Sequence, residues 1–205
     1  MEQLLTQPEL LARFVQVILT ARSASSGPPV SVADPAKRPS PTAVQTTVHE
    51  SITAPEHRGK APSSFVETVV YAVAMRFQPD LGVIIRLYDF QFGMFRLSIL
   101  HFAPFGVQQR MTWLNAGAAS MHNFSAAETD PRPPVASSMG GLVDAAGMIC
   151  PYEHEFFTQP LRDVLEALHG FAQQLDGWRT WTTPDLPHLV FWVNSVLEQF
   201  RSLVH

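Results

Sequence analysis

The densest cluster of reactive side chains in the sequence is the run CPYEHE, from Cys150 to Glu155. On a helix, Cys150 and His154 would share one face, as a thiolate–imidazole pair or half of a metal site does. Pro151 opposes a helix across this span, however, and Cys150 is the single cysteine, with no second pair of Cys or His at ligand spacing. We therefore predict neither a catalytic nucleophile nor a metal or cofactor site here.

Other residues that often carry chemistry add little. His101 and His122 adjoin apolar or loop residues, which is typical of histidines that are only hydrogen-bonded. Gly140-Gly141 lacks the following lysine of a phosphate-binding loop. The sequence thus predicts a protein that is not an enzyme and favours a role in binding or assembly.

Arginine is unevenly distributed along the chain. The stretch 68–127 holds four arginines against Asp80 and Asp89 only, whereas ten acidic residues accompany four arginines from residue 128 onward. The net charge is −4, and no lysine follows residue 63. Clustered arginines suit a local groove for phosphate, although solvated helix faces are the alternative interpretation. The predicted phosphate-binding residues are Arg76, Arg86, Arg96 and Arg110.

The N-terminus predicts an almost wholly apolar helix. Thr6-Gln7-Pro8-Glu9 has the cap, the first-turn proline and the glutamate of a helix start. The polar residues that follow form only a narrow stripe, so the helix needs a groove on several sides. That groove belongs either to a neighbouring subunit or to the same domain. The residues predicted to pack in it are Leu10, Leu11, Phe14, Val15, Ile18 and Leu19.

A Pro/Ser/Thr-rich segment separates this arm from the rest of the chain. It spans residues 23–63 and contains seven prolines and no Leu, Phe, Tyr or Trp. Such a composition predicts a linker. The expected organisation is therefore an assembly arm at 1–22, a linker at 23–63 and a core domain at 64–205. The single cysteine suits a reducing compartment, and no apolar run reaches the length of a membrane span.

The core domain is predicted to be mostly α-helical. A capping box at Ser64 opens a helix to about Phe77, and another helix covers residues 106–119. The stretch 82–102 fits either a small β-hairpin or a buried helix over 94–102, because short apolar runs do not decide between them. Residues 126–141 are expected to be loop. Two amphipathic helices follow. The first begins at Thr158-Gln159-Pro160 and is expected to end at Gly177, with an inward face of Leu161, Val164, Leu165, Leu168, Phe171, Ala172 and Leu175. The second begins at about Pro187, with an inward face of Leu189, Val193, Val196, Leu197, Phe200 and Leu203.

Two stretches resemble known viral proteins. The run FRLSILHFAP, residues 95–104, resembles the motif of coat proteins of flexuous filamentous plant viruses, in which an Arg is followed six residues later by an aromatic and Ala-Pro. The runs SMGGLVD, 138–144, and PLRDVLEALHGFAQQL, 160–175, are similar to part of the nucleoproteins of phenuiviruses. This resemblance implies a helical two-lobed core that grips single-stranded RNA, with an N-terminal arm that packs on the next subunit. It also implies that Arg96 binds phosphate or pairs with Asp144 beside the RNA.

The resemblance implies a viral coat or nucleocapsid protein that polymerises through its arm and encapsidates single-stranded RNA, in the virion and the host cytoplasm. The expected partners are other copies of the chain and RNA, with no membrane and no small-molecule substrate. The alternative is a non-enzymatic structural subunit of a large cellular assembly, for instance in an organelle, that uses the arm as a staple and binds no RNA.

Overall fold

The computed structural model describes residues 41–72, 74–78, 80–93, 96–115, 132–178 and 180–204. Within these ranges the protein is mostly helical, as predicted, and forms no β-strand beyond isolated bridges. The α-helices are α1 Ala43–Ile52, α2 Pro62–Val70, α3 Leu81–Leu87, α4 Val107–Asn115, α5 Met139–Met148, α6 Cys150–Phe156, α7 Gln159–Trp178 and α8 Leu186–Leu203. Two 3-10 helices lie between them, Pro55–His57 and Ile99–Phe102. None of these helices is long and apolar enough to cross a membrane.

Helix α5 lies at the centre of the packing. It contacts both α7 and the 3-10 helix Ile99–Phe102, while α6 packs on α7 and α2 packs on α3. The buried apolar side chains of the described residues form one cluster that includes residues from all of these elements. The largest of them are aromatic, and they meet mostly edge to face, which is a favoured geometry for ring pairs.

Helices α7 and α8 follow their predicted amphipathic patterns. Every residue predicted to face inward on α7 is buried, namely Leu161, Val164, Leu165, Leu168, Phe171, Ala172 and Leu175. The helix continues through Gly177 to Trp178, so the glycine does not end it as expected. On α8 the inward residues Leu189, Val193, Val196, Leu197 and Phe200 are buried, whereas Leu203, predicted inward, is 37% exposed.

Several helices begin or end at residues other than those predicted. Helix α2 begins at Pro62 and ends at Val70, so the expected capping box at Ser64 does not form and the helix does not reach Phe77. Proline suits the first turn because its missing N–H is not needed there. Helix α5 begins at Met139, inside the stretch expected to be loop, because the Ser138 side chain accepts a hydrogen bond from the backbone N–H of Gly141.

The expected hairpin in the stretch 82–102 is absent, since α3 occupies its first half. The Asp80 carboxylate accepts a hydrogen bond from the N–H of Gly82 at 2.9 Å, which caps α3 and selects the helix for this short apolar run. The alternative of a buried helix over 94–102 is also wrong among the described residues there, because only Ile99–Phe102 is helical, as a 3-10 turn.

Helix α3 ends in a turn that places a phenylalanine in the left-handed region. Phe90 has φ of 55° and is fully buried. The N–H of Gln91 bonds to the carbonyl of Arg86 at 2.9 Å, and the N–H of Phe90 bonds to that of Leu87 at 3.3 Å. This is the Schellman pattern, which glycine usually completes. The Phe90 ring packs against Phe92, Phe157 and Phe200, so ring burial offsets the backbone strain.

The prediction of a linker over residues 23–63 is wrong from residue 43 onward. Helix α1 begins after Thr42, whose side chain forms a capping box with Gln45, and it buries Val48 and Ile52 completely. Aliphatic and β-branched residues at helical spacing build this face without Leu or any aromatic residue. The core domain therefore starts about twenty residues before the expected boundary at 64, while residues 23–40 lie outside the described residues.

Backbone pairing joins the segment after α1 to the segment after α6. The N–H of Ala54 bonds to the carbonyl of Phe156 at 2.9 Å, and the N–H of Thr158 bonds to that of Ile52 at 2.8 Å. Thr53 and Phe157 form an antiparallel bridge at this point. The N-terminal part of the described chain is therefore fixed onto the helices of the C-terminal half.

His49 is a buried histidine on α1 that sequence reasoning missed because it placed the residue in a linker. Its Nδ1 lies 2.8 Å from the carbonyl oxygen of Tyr88, and its ring stacks on the Tyr88 ring at 3.8 Å. A carbonyl only accepts, so Nδ1 carries the proton. Burial lowers the pKa of His49 to about 4, against the smaller raising effect of the Tyr88 hydrogen bond.

This histidine should make the protein sensitive to acid. The unfolded state takes up the proton below the ordinary pKa of 6.5, whereas the folded state resists it until about 4, so stability falls as the pH drops through this window. The free energy of unfolding of the wild type, relative to that of His49→Gln, should therefore fall by about 3 kcal/mol between pH 7 and pH 4. Urea unfolding of both proteins at each pH measures this. A stability difference that does not change with pH would contradict the assignment.

Candidate nucleic-acid interface

The four predicted phosphate-binding arginines occur as two pairs in the structure. Arg86 and Arg96 are close enough to repel each other electrostatically, and Arg76 adjoins the backbone site that holds Arg110. Arg76 and Arg96 are exposed, while Arg86 and Arg110 are half-buried. Each pair therefore combines one exposed guanidinium with one held against the protein.

The first pair lies at the end of α3. Arg86 Nη1 donates to the carbonyl of Gly82 at 2.7 Å, which fixes its side chain along the helix. Burial lowers the pKa of Arg86, and the neighbouring charge of Arg96 lowers it further, whereas Asp80 and Asp89 act in the opposite direction. Two guanidiniums near one another are a favourable place for an anion, because an anion relieves their repulsion.

Arg96 is positioned by a chain of hydrogen bonds that ends in the core. Its Nη1 donates to Gln91 Oε1 at 2.6 Å, and Gln91 Nε2 contacts both carboxylate oxygens of Asp89 at 2.8 Å. The Asp89 side chain is 1% exposed and pairs with Arg201 Nη2 at 2.8 Å. Arg201 also donates from Nε to the Asp89 carbonyl at 2.7 Å. We call Asp89, Gln91, Arg96 and Arg201 the Asp89 network.

The turn that carries Arg96 depends on a glycine. Gly93 has φ of +140°, and its N–H bonds to the carbonyl of Leu97 at 3.1 Å. A Cβ added to Gly93 would lie 2.9 Å from a carboxylate oxygen of Glu198. Glycine is therefore required by the backbone conformation, whereas the exposed end of the Glu198 side chain could shift to make room for a Cβ.

The second pair lies around an isolated backbone bridge. Arg110, on α4, donates from Nη2 to the carbonyl of Met75, next to Arg76 in the chain. The carbonyl of Arg76 in turn accepts the N–H of Phe105 at 3.1 Å, and Phe77 bridges Pro104 beside it. The Arg110 guanidinium is thus already hydrogen-bonded to the backbone, and Arg76 is more available to bind a phosphate.

A row of buried phenylalanines runs between the two pairs. Phe77, next to Arg76, contacts Phe102 at 4.7 Å between ring centroids, Phe102 stacks on Phe92 at 5.9 Å, and Phe92 contacts Phe90 at 4.7 Å. Phe90 adjoins Asp89. Packed interiors resist deformation, so this row fixes the two arginine pairs on one rigid body.

The expected contact between Arg96 and Asp144 is not formed. Arg96 is hydrogen-bonded to Gln91 instead, and among the described residues Asp144 is exposed and makes no ion pair or hydrogen bond. Asp144 lies on α5, which packs on the 3-10 helix that follows Arg96, so the two residues share a neighbourhood without pairing. Gln91, two residues after the buried Asp89, forms the hydrogen bond with Arg96 in place of Asp144.

The run SMGG, residues 138–141, borders a pocket. This pocket has a volume of about 580 Å³ at the start of α5, and its lining includes Ser138, Gly140, Asp176 and Trp181. Trp181 Nε1 donates to the carbonyl of Leu175 at 2.7 Å and closes one side. None of the four predicted arginines is among the described residues that line it.

The Cys150–Glu155 cluster is helical, contrary to the sequence prediction, because Pro151 occupies the first turn of α6. Cys150 Sγ lies 3.9 Å from His169 Nδ1 on α7, so the neighbouring imidazole is that of His169 and not the predicted His154. Burial raises the pKa of the thiol to about 12, and the nearby Glu153 adds to the effect. A thiol held in its neutral form is a poor nucleophile.

The arm residues Leu10, Leu11, Phe14, Val15, Ile18 and Leu19 lie outside the described residues, as does His122. His101 is hydrogen-bonded as expected, since its Nδ1 accepts the N–H of Ser98 at 2.9 Å. Sequence reasoning missed Gln91 and Arg201 and counted Asp89 only as an opposing charge. The signal for Asp89 was its place between Tyr88 and Phe90, where an acid inside an apolar run needs a partner.

The chain matches no protein-family model, no curated protein sequence and no solved structure.

The Asp89 network should carry much of the stability at this surface. Asp89→Asn leaves Arg201 without its carboxylate in a mostly buried position and should destabilise the fold by about 3–5 kcal/mol. Adding Arg201→Gln should cost less than the sum of the single changes, with a coupling of about 0.5–3 kcal/mol. Arg96→Gln, at the exposed end, serves as the control and should cost under about 1 kcal/mol. Urea unfolding measures all four variants, and additive effects would refute the role of the pair.

Proposed function

We propose that the protein is a viral coat or nucleocapsid protein that encapsidates single-stranded RNA and polymerises through its N-terminal arm. The observation that carries the proposal is the pair Arg86 and Arg96, in which two like charges lie together and one is exposed on a hydrogen-bonded frame. Two positive charges at one place attract a phosphate, although Asp80 and Asp89 offset part of the charge on Arg86. The pair therefore supports binding to a polyanion.

The rest of the surface fits contact with the RNA backbone better than with its bases. The other exposed arginine of the set, Arg76, lies at the far end of the phenylalanine row, so contacts would be spread over more than one phosphate. Those phenylalanines are buried and unavailable for base stacking. Binding through phosphates alone carries no sequence information. We therefore expect binding that does not depend on sequence.

Assembly through the arm draws its support from the sequence pattern and from exposed apolar side chains. A helix with only a narrow polar stripe is unstable in water without a groove. On α4, Val107 and Met111 are one turn apart and expose 78% and 52% of their surface, and Tyr71 after α2 exposes 85%. Such residues are common in contacts between subunits.

The acidic second half of the chain favours a second candidate. Ten acidic residues after 127 and a net charge of −4 weaken the attraction to RNA. A structural subunit of a large cellular assembly would use the same arm and bind no RNA. The two candidates differ in one measurable property, which is binding to RNA.

The RNA proposal predicts binding whose salt dependence reports individual arginines. Fluorescence anisotropy with a labelled oligouridine and a mixed-sequence RNA should give similar affinities. Arg96→Gln and Arg76→Gln should each weaken both complexes and reduce the slope of log affinity against log salt by about 0.7, the value for one phosphate contact to a single strand. Arg58→Gln, which removes an exposed charge outside the set, is the matched control. Absence of binding, or strong preference for one sequence, would favour the second candidate or another function.

The assembly proposal predicts that the arm can be removed without unfolding the core. Deleting residues 1–22 leaves every described helix intact and should give a folded monomer by light scattering and circular dichroism. Phe14→Asp with Ile18→Asp should have the same effect, because two charges would enter an apolar groove. Gln16→Asp with Thr20→Asp adds the same charge on the polar stripe and should leave the oligomers unchanged. If the apolar-face variant also keeps its oligomers, the arm is not the element that joins subunits.

A further inference from the structure

Three potential metal ligands meet where α6 crosses α7. Glu153 and His154 lie on α6, and Glu166 lies on α7. One donor atom from each lies within 4.8 Å of the others. His154 Nε2 lies 3.5 Å from Glu166 Oε1. The cluster is on a different part of the chain from the four arginines, so it is independent of the proposed function.

Glu153 distinguishes this cluster from a chance group of surface acids. The residue has no exposed surface, and neither of its carboxylate oxygens accepts a hydrogen bond from a nitrogen or oxygen donor, although the Cys150 thiol, a weak donor, lies beside it. Buried carboxylates are normally paired with donors or with cations, because their desolvation is otherwise uncompensated. The potential ligand atoms near this buried carboxylate belong to His154 and Glu166.

The separation between His154 and Glu166 fits a transition-metal ion, and Glu153 lies within 4.8 Å of both. In a tetrahedral zinc site with ligands at about 2.1 Å, neighbouring donor atoms lie about 3.4 Å apart. The observed 3.5 Å between His154 Nε2 and Glu166 Oε1 meets that requirement without movement. His154 and Glu166 expose 59% and 50% of their side chains, which leaves room for a water as fourth ligand. An imidazole with two carboxylates is a donor set that zinc accepts, whereas magnesium prefers oxygen alone.

We propose that Glu153, His154 and Glu166 form a binding site for a divalent transition-metal ion of the zinc type, which clamps α6 onto α7. The ion would supply the partner that the buried Glu153 oxygens lack. Arg162 on α7 lies near Glu153 and donates from Nη1 to the carbonyl of His154 at 3.4 Å. Its guanidinium orients the end of α6, but its charge opposes that of the cation and so limits the affinity.

Thermal unfolding and calorimetry with zinc chloride test the site on the full chain after dialysis against a chelator. One equivalent should bind, and the melting temperature should rise by about 5–10 °C when free zinc is about a hundredfold above the dissociation constant. Magnesium chloride at the same concentration should give no rise. His154→Asn and Glu166→Gln alter exposed side chains and keep the fold intact. Each should weaken zinc binding at least about tenfold, the loss seen even when a hydrogen-bond partner of a ligand is removed.

Two further variants make the test specific. Glu153→Gln has the shape of the neutral acid, so it should fold yet lose the zinc response. His188→Asn removes another exposed histidine, on α8, and should keep full binding. The proposal is overturned if wild type shows no shift, if the three ligand variants bind as wild type does, or if magnesium shifts the melting temperature equally.

Discussion

The carboxylate of Asp89 is the buried charge on which the arginine-rich surface depends. Removing a carboxylate from water costs several kcal/mol unless opposite charge and hydrogen-bond donors replace the lost solvation. Here Arg201 comes from the last turn of α8 and Gln91 comes from the turn after α3, so compensation requires both elements to be in place. The requirement links the end of the chain to the surface that carries Arg86 and Arg96. The exposed Arg96 guanidinium is held in position by the Asp89 carboxylate through Gln91, without contacting that carboxylate itself.

Three buried ionisable groups of the described core, Asp89, His49 and Glu153, differ in how well their polar atoms are hydrogen-bonded. Asp89 has an ion pair and an amide donor. His49 uses one ring nitrogen and leaves Nε2 without a partner, and Glu153 leaves both oxygens without one. Satisfied groups rigidify a core, whereas an unsatisfied group costs stability until a proton or a ligand compensates it. Asp89 can therefore support a fixed surface, whereas Glu153 is the group that the proposed metal ion would compensate.

Sequence reasoning was correct where a long periodic pattern allowed a single structure. It failed where a helix cap or a contact between distant residues determined the structure. The twenty residues of α7 repeat their apolar face over several turns, so its buried residues were all predicted. Short elements lack that redundancy. Asp80 made α3 a helix, Pro151 began α6 instead of preventing it, and the apolar face of α1 was hidden in a proline-rich composition. For the site, residue types indicated four candidate arginines but not their division into two pairs, and Arg201 joins Asp89 from 112 residues away, which no local pattern indicates.

The bridge between Thr53 and Phe157 has a consequence for the order in which the protein can be made. The segment after α1 finds its backbone partners only in the segment after α6, roughly 100 residues later, and closing so long a loop is entropically costly. During synthesis at roughly 5–20 residues per second, the segment at Thr53 would wait on the order of 5–20 s for these backbone partners. Until they arrive, its N–H and C=O groups are open to pairing with other chains.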